Sequence, residues 1–352
     1  MYQTGEKFRF SLFGRSHAEC VGGILEGLPA GFRVDLDGIR TEMSLRKPVP
    51  GLGTPRAEED SVEFVQGLAG DVADGNPILV VIANGNTDGS KYLKFAETPR
   101  PGHADLPALT KFPGHDIRGG GQFSGRLTAP IVAAGAIAKQ FIAARGEAVS
   151  AHTTSIGGVK DDIARGMDDS MASRAFPTRA CTERLDRRMA AEIKMAAEDR
   201  DSVGGIVECI TTGLPIGFGG IWFDALDAEI AKAMFGIPAC KGVEFGKGFG
   251  LATMKGSESN DQYRYDDGIK TMTNNMGGIV GGMSDGAPMV FRTVFKPTPS
   301  IGKEQKTVNL MEKRNDTVTV EGRHDPCIVP RAVAVVEAMT ALVIADQMAR
   351  GF

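Results

Sequence analysis

The amino-acid sequence predicts a mixed α/β (α+β) chain built from two related halves, on three observations. The strings Gly22-Gly23-Ile24-Leu25-Glu26 and Gly27-Leu28-Pro29-Ala30-Gly31-Phe32 return, slightly respaced, as Gly204-Gly205-Ile206-Val207-Glu208 and Gly213-Leu214-Pro215-Ile216-Gly217-Phe218. Each half carries a short apolar, β-branched run opened by Gly-x-Pro: Gly75-Asn76-Pro77 before 78–82, and Gly286-Ala287-Pro288 before 289–295. Each half closes on a long Ala-rich helix, about 126–144 and about 331–348. Recurrence of several elements in one order marks a duplicated unit. One domain over 1–352 is expected, with pseudo-symmetric halves at about 20–145 and 204–350.

Taken in order, the apolar runs are short enough and sufficiently β-branched to be buried strands. Asp35-Leu36-Asp37 and Asp224-Ala225-Leu226-Asp227 read as helix starts, because an Asp side chain accepts from the free N–H groups of a first turn. Between the halves, about 146–202 is polar and poor in strand signals, and reads as a peripheral linking insertion. Its clearest element is a helix at about 182–198, with Leu185, Met189, Ile193 and Ala196 at helical spacing.

Composition narrows the function. Of 352 residues, 42% are hydrophobic and 24% charged, with a formal net charge of −4. A nonspecific nucleic-acid binder is usually basic, so no nucleic-acid partner is expected, and anion binding must come from locally placed Arg and Lys. The five cysteines lie far apart with no C-x-x-C pair. That fits reduced thiols in the cytoplasm and no zinc site. The opening Met1-Tyr2-Gln3-Thr4-Gly5-Glu6 has neither the basic nor the apolar region of a secretion signal. Apolar stretches are broken by charge within about 20 residues, so no membrane span is expected.

The chemistry lies in loops that combine Gly with His, Arg, Lys or Asp: Phe13–His17, Arg100–Asp105, Arg118–Arg126, Gly277–Gly282 with Lys296–Ser300, and Gly322–Cys327. Two of these run into helix starts, where free N–H groups and the dipole favour an anion. Arg126 and Arg331 occupy equivalent starts. With Arg46, Lys47, Arg56 and Arg100 they form a candidate cluster for a small polyanion, since Arg pairs bidentately with carboxylate or phosphate. Of five histidines, His17, His103 and His324 lie in such loops and are candidate proton carriers. Asp325 either orients His324 or caps the following helix. There is no G-x-G-x-x-G after a strand and no G-x-x-x-x-G-K-[ST], so a flavin would be held by loops.

In order, G-x-S-H, R-P-G-H-A-D, R-G-G-G followed by A-A-G-A-I-A-K, G-G-I-V-G-G, K-P-T-x-S-I and G-R-H-D-P-C resemble the chorismate synthase family. The match runs from about Phe8 to the C-terminal helix and is poor over 146–202. The resemblance implies a β–α–β sandwich assembled as a homotetramer. It implies a 1,4-anti elimination of phosphate from 5-enolpyruvylshikimate 3-phosphate, giving chorismate, with reduced FMN and no net redox change. NADPH is the candidate reductant of the flavin. The substrate is a small-molecule anion with two carboxylates and a phosphate. By the same resemblance Arg46, Arg100, Arg126 and Arg331 hold substrate, and His17 and His103 handle protons at opposite ends of the ligand. Asp325 supports proton removal at the flavin, which is lined by Ser124, Ala239, Gly281, Lys296, Pro297, Thr298, Pro299, Ser300 and Arg323.

The chain departs from the family pattern near these residues. Arg15 stands where Glu is usual, with Ala18 after His17. Gln122-Phe123-Ser124-Gly125-Arg126 replaces R-S-S-A-R, Pro238 replaces an Asn, and the Arg-rich R-R-R-P-G stretch is thinned to Leu45-Arg46-Lys47-Pro48. Two further readings stand beside the lyase. One is a diverged paralog that binds flavin or a shikimate-type anion without efficient turnover. The other is a metal-dependent hydrolase using His17, His103, Asp105, His324 and Asp325.

Overall fold

The computed structural model of the chain describes residues 2–53, 60–85, 89–321 and 325–352. Arg56, Arg323 and His324 therefore lie outside the described residues. Strands β1 (Tyr2–Thr4), β2 (Arg9–Gly14), β3 (Cys20–Glu26), β4 (Glu63–Gln66) and β5 (Ile78–Ala83) form an antiparallel sheet in the order β1-β2-β3-β5-β4. Strands β6 (Ala148–Ile156), β7 (Val159–Lys160), β8 (Gly205–Thr212), β9 (Cys240–Phe245) and β10 (Met289–Phe295) form a second, in the order β9-β10-β8-β6-β7. The principal helices are α1 (Leu36–Arg46), α2 (Asp105–Lys111), α3 (Thr128–Ala143), α4 (Glu183–Glu198), α5 (Leu226–Phe235) and α6 (Val329–Arg350).

Helices α3 and α6 pack on one another, α3 against β3 and β5 of the first sheet and α6 against β6 and β8 of the second. With α1 and α5 alongside they form a helical layer between two sheets, a β–α–β sandwich. This placement explains why α3 and α6 are apolar nearly all round: a helix covered on every side has no solvent face. Contrary to the sequence reading, α6 is long and apolar enough to cross a membrane, but it is a core helix with most of its length buried. The two helices cross where Gly135 meets Ala338. A Cβ on Gly135 would lie 2.3 Å from the Ala338 Cβ and 2.5 Å from its Cα, so only glycine fits.

The buried charges inside this layer are paired. The Glu337 carboxylate on α6, 1% exposed, accepts from Lys139 and Arg174 at 2.5 Å each and from the Ala151 N–H at 2.8 Å. Lys139 and Arg174 also reach Glu42, at 2.9 Å each. Burying charge is costly unless it is paired in this way. Near the other end of α6, Asp346 accepts the N–H groups of Glu6, Lys7 and Phe8 at 2.8, 2.7 and 2.9 Å, tying the first strands to the last helix.

Two sequence expectations need correction. The stretch 146–202 is not all peripheral, because β6 lies inside the second sheet, paired with β8 over its length. Its Ser, Thr and His residues hide it. Every residue from Val149 to Ile156 is buried, under α6 and under a cover made by Met167–Ala172 and α4. A strand covered on both faces shows no apolar–polar alternation. The helix expected within this stretch is α4, where the Thr182 hydroxyl accepts from the Leu185 N–H at 3.3 Å. Asp35 caps α1, but Asp224 does not cap α5. Its carboxylate is taken by Arg350 at 2.6 Å, and Ala225 is the N-cap.

The burial of β6 has a consequence for acid stability. His152 is fully buried and neither ring nitrogen has a hydrogen-bond partner. Burial, with Arg165 adding to it against Asp161 and Asp169, pushes its imidazole from 6.5 down to about 4. Glu208 faces it at 3.6 Å, but burial raises that carboxyl too, so desolvation dominates the pair. The unfolded chain binds this proton below about 6.5 and the folded chain only near 4. Stability is therefore lost as pH falls through that window, by roughly 1.4 kcal/mol per unit. We expect urea unfolding at pH 6.5 and 4.5 to show a shallower loss for His152→Leu than for the unmodified chain. An identical loss in both would mean that the imidazole is hydrated.

Candidate active site

A cavity of about 360 Å³ opens where the long helices begin, within the size range of small-molecule sites. Arg126 sits in the tight turn Gly125–Leu127 that leads into α3, Arg331 lies in the first turn of α6, and Arg46 is the last residue of α1. All three line the cavity. Arginine at a helix start opposes the dipole, so these positions favour nearby anions. Asp60 supplies one: its carboxylate bridges Arg46 Nη2 and Arg126 Nη1. Arg126 Nε also donates to Asn84 Oδ1 at 2.8 Å. Asp325 supplies the second, accepting from Arg331 Nη1 at 2.8 Å, while Arg331 Nε donates to the Arg46 carbonyl at 3.0 Å. Burial works to raise Asp60, but the Arg46 and Arg126 charges outweigh it and hold the carboxyl below its usual range. At Asp325 burial wins, and the carboxyl lies above its usual range despite Arg331. Asp325 does not cap α6, whose N-cap is Ile328 with no side-chain cap; its carboxylate serves Arg331, and the expected partner His324 lies outside the described residues.

His17 is buried behind this wall. The Arg118–Phe123 segment folds over it with Gly119 at φ +58, where a Cβ would come within 2.3 Å of His17 Cε1. Tyr92, which lines the cavity, meets the His17 ring edge-on at 5.6 Å. The second half supplies the opposite wall through Ala239, Thr298 and Ser300. Ser300 Oγ shares a 2.8 Å hydrogen bond with His103 Nε2, and Lys296 Nζ donates to the Gly102 carbonyl at 2.9 Å. Pro299 packs on Gly102, and Pro297 passes over Gly204. Ser124, also on the wall, accepts from the Arg126 N–H at 3.3 Å. The Thr298 hydroxyl is buried without a partner, as suits a wall made for a polar ligand.

His17, His103, Lys296, Pro297 and Pro299 stand beside the lining rather than in it, and two further assigned residues, Arg100 and Gly281, lie elsewhere. Arg100 is 4% exposed and forks onto Asp105 at 2.7 and 2.9 Å, with its guanidinium over the rings of Phe95 and Tyr92. It does not line the cavity. Gly281 takes the tight turn of the Ile279–Ser284 hairpin at φ +65, next to the glycine that packs on Ala225. It too is off the wall. Of the residues named for a metal site, Asp105 is bound to Arg100, Asp325 to Arg331, and His324 lies outside the described residues, among which no three His, Cys, Asp or Glu groups converge.

Asp60 and Tyr92 were missed. Asp60 ends Glu58-Glu59-Asp60, which reads as solvated acid, and Tyr92 sits with Phe95 in the short Ser90–Ala96 turn, which carries none of the Gly, His or Arg signals of the other loops. Of the departures, Arg15 is more than half exposed and reaches Asp116 only at 4.0 Å, and Phe123 packs with Phe112 and His115. Pro238 alone among Arg15, Phe123 and Pro238 lines the cavity.

A family model described as chorismate synthase matches residues 8–349. Curated relatives named chorismate synthase include one from Dehalococcoides mccartyi, 45% identical over 97% of this chain and 95% of that protein. Another, from Korarchaeum cryptofilum, is 46% identical over 98% and 97% respectively. A solved structure titled "Crystal Structure of Chorismate Synthase" superposes with a TM-score of 0.79 at 27% identity, covering 98% of this chain and 92% of that one.

The placement of Arg100 yields a test that sets it apart from the cavity arginines. Arg100→Ala strands the buried Asp105 carboxylate and should cost about 3–5 kcal/mol in urea unfolding. A loss below about 1 kcal/mol, joined to weakened anion binding, would return Arg100 to the cavity.

Proposed function

The chain belongs to the chorismate synthase family, and from that premise we propose how its own residues carry the family's reaction. The reaction is a carbon–oxygen lyase step of aromatic amino-acid biosynthesis: phosphate leaves 5-enolpyruvylshikimate 3-phosphate to give chorismate, in a flavin-dependent family. One observation carries the residue assignments. Arg46, Arg126 and Arg331 reach one cavity from three helix ends, in a chain of net charge −4. Three guanidiniums suit a substrate with two carboxylates and a phosphate.

Arg46, Arg126 and Arg331 hold the substrate anions and fix the ring. His17, kept in place by Gly119 and Tyr92, donates to the leaving phosphate, where charge builds as the C–O bond breaks. His103, held by Ser300, serves the flavin end. Asp325, whose carboxyl burial holds above its usual range against the pull of Arg331, is the proton acceptor. Ser124, Ala239, Thr298 and Ser300 would hold reduced FMN, with Lys296 as a nearby cation; the bound flavin would supply electron density to a reaction with no net redox change. Arg323 stays with the flavin, and NADPH stays as reductant, on family resemblance alone. The same resemblance supports a homotetramer. The matched G-G-I strands β3 and β8, each paired with an apolar strand, support two duplicated halves. Five free cysteines support a cytoplasmic location.

The decisive experiment is anaerobic single-turnover formation of chorismate with chemically reduced FMN. His17→Ala and His103→Ala should each lose roughly 10- to 10⁴-fold in rate while remaining folded. Unchanged rates in both would remove them from the mechanism. An inactive wild type that recovers as Arg15→Glu would favour a diverged binding paralog.

A further inference from the structure

Asp60 lines the cavity but takes no part in the chemistry proposed above. It is 8% exposed, and its two oxygens are divided between Arg46 and Arg126. Arg46 is 3% exposed, and Asp60 is its only anionic partner among the described residues. Its other contact is a long one, 3.4 Å to the Thr128 hydroxyl, and its Nε has no partner. Burial, then repulsion from Arg331 and Arg126, disfavours the Arg46 charge, and Asp60 opposes both. A carboxylate held between two guanidinium forks is the same chemistry by which a substrate carboxylate or phosphate would be bound.

Resting on the reading of this cavity as the substrate's anion site, we infer that Asp60 is a positioning residue that stands in for the substrate anion. In the ligand-free protein it keeps the Arg46–Arg126 pair assembled, and so sets the affinity for incoming anions. An arriving anion finds the guanidiniums already gathered, which lowers the ordering cost of binding and of the transition state. The opposing effect is repulsion, because a fixed carboxylate beside the ligand weakens its binding. Removing the charge separates the two effects. Asp60→Asn keeps the shape but leaves Arg46 buried without a counter-charge. The empty protein is then destabilised, an added anion restores more, and turnover suffers because the forks lose their alignment.

The test is thermal melting of wild type, Asp60→Asn and Asp60→Glu across a titration of inorganic phosphate, with anaerobic steady-state kinetics on the same proteins. Asp60→Asn should melt lower without ligand and bind phosphate about tenfold tighter than wild type. Its kcat should fall roughly tenfold or more with no rise in KM, and Asp60→Glu should recover part of kcat. A purely structural Asp60 would lower the melting temperature and leave phosphate affinity unchanged. That result, weaker phosphate binding, or a KM that rises as kcat falls would overturn the inference. The double variant Arg46→Met/Asp60→Asn removes the stranded charge together with its partner. It should melt above Asp60→Asn, even where the single variant does not fold, and a double variant no more stable would also overturn the inference. An inactive wild type with the expected phosphate behaviour would instead sink the assigned reaction and leave the role of Asp60 standing.

Discussion

The close crossing of two buried helices at Gly135 and Ala338 sets the position of everything that matters in this molecule. With no room for one more methyl group, α3 and α6 have a single way to pack. The turn leading into α3 and the first turn of α6 then carry Arg126 and Arg331 to the same cavity. Helix α1 packs on both and ends at Arg46, which completes the set. The paired charges around Glu337 and the three N–H groups held by Asp346 fix α6 along its length. Site geometry thus follows from core packing rather than from the mobility of surface loops.

The positive character of the site is local and maintained against its surroundings. Guanidiniums buried at helix starts are unfavourable alone, through both desolvation and the dipole. Asp60 and Asp325 offset this, and they respond in opposite ways. Asp60 between two arginines stays ionised, whereas Asp325 with one is shifted upward by burial. The two carboxyl groups thus meet different arginines in one cavity, Asp60 bridging Arg46 and Arg126 and Asp325 serving Arg331. The other wall comes from the second half, clasped to the first by His103–Ser300 and Lys296–Gly102. The site therefore exists only when both halves are folded against each other.

Much of this was legible in the sequence where one local rule decides the outcome. The repeated G-G-I strings are strands β3 and β8, the run 289–295 is β10, and Asp35 and Thr182 cap their helices. What escaped was decided by tertiary context. Strand β6 is polar because it is covered on both sides, so its pattern carries no period. Asp224 is drawn from its helix by Arg350, some hundred residues away in sequence. Arg100 sits in a motif dense with functional residue types, yet Asp105, five residues on, folds back and takes its donors. Asp60 reads as one of three solvated acids until Arg46 and Arg126 are brought to it from separate helices. No spacing rule links those three positions.

The claim on which the rest depends is that one anion site is assembled from three helix ends. The most direct measurement is a crystal structure of the protein with 5-enolpyruvylshikimate 3-phosphate and FMN bound. The substrate's carboxylates and phosphate should lie within hydrogen-bond reach of Arg46, Arg126 and Arg331, with Arg100 still forked onto Asp105. Substrate bound away from those three guanidiniums, or Arg100 swung onto it, would contradict the proposed site.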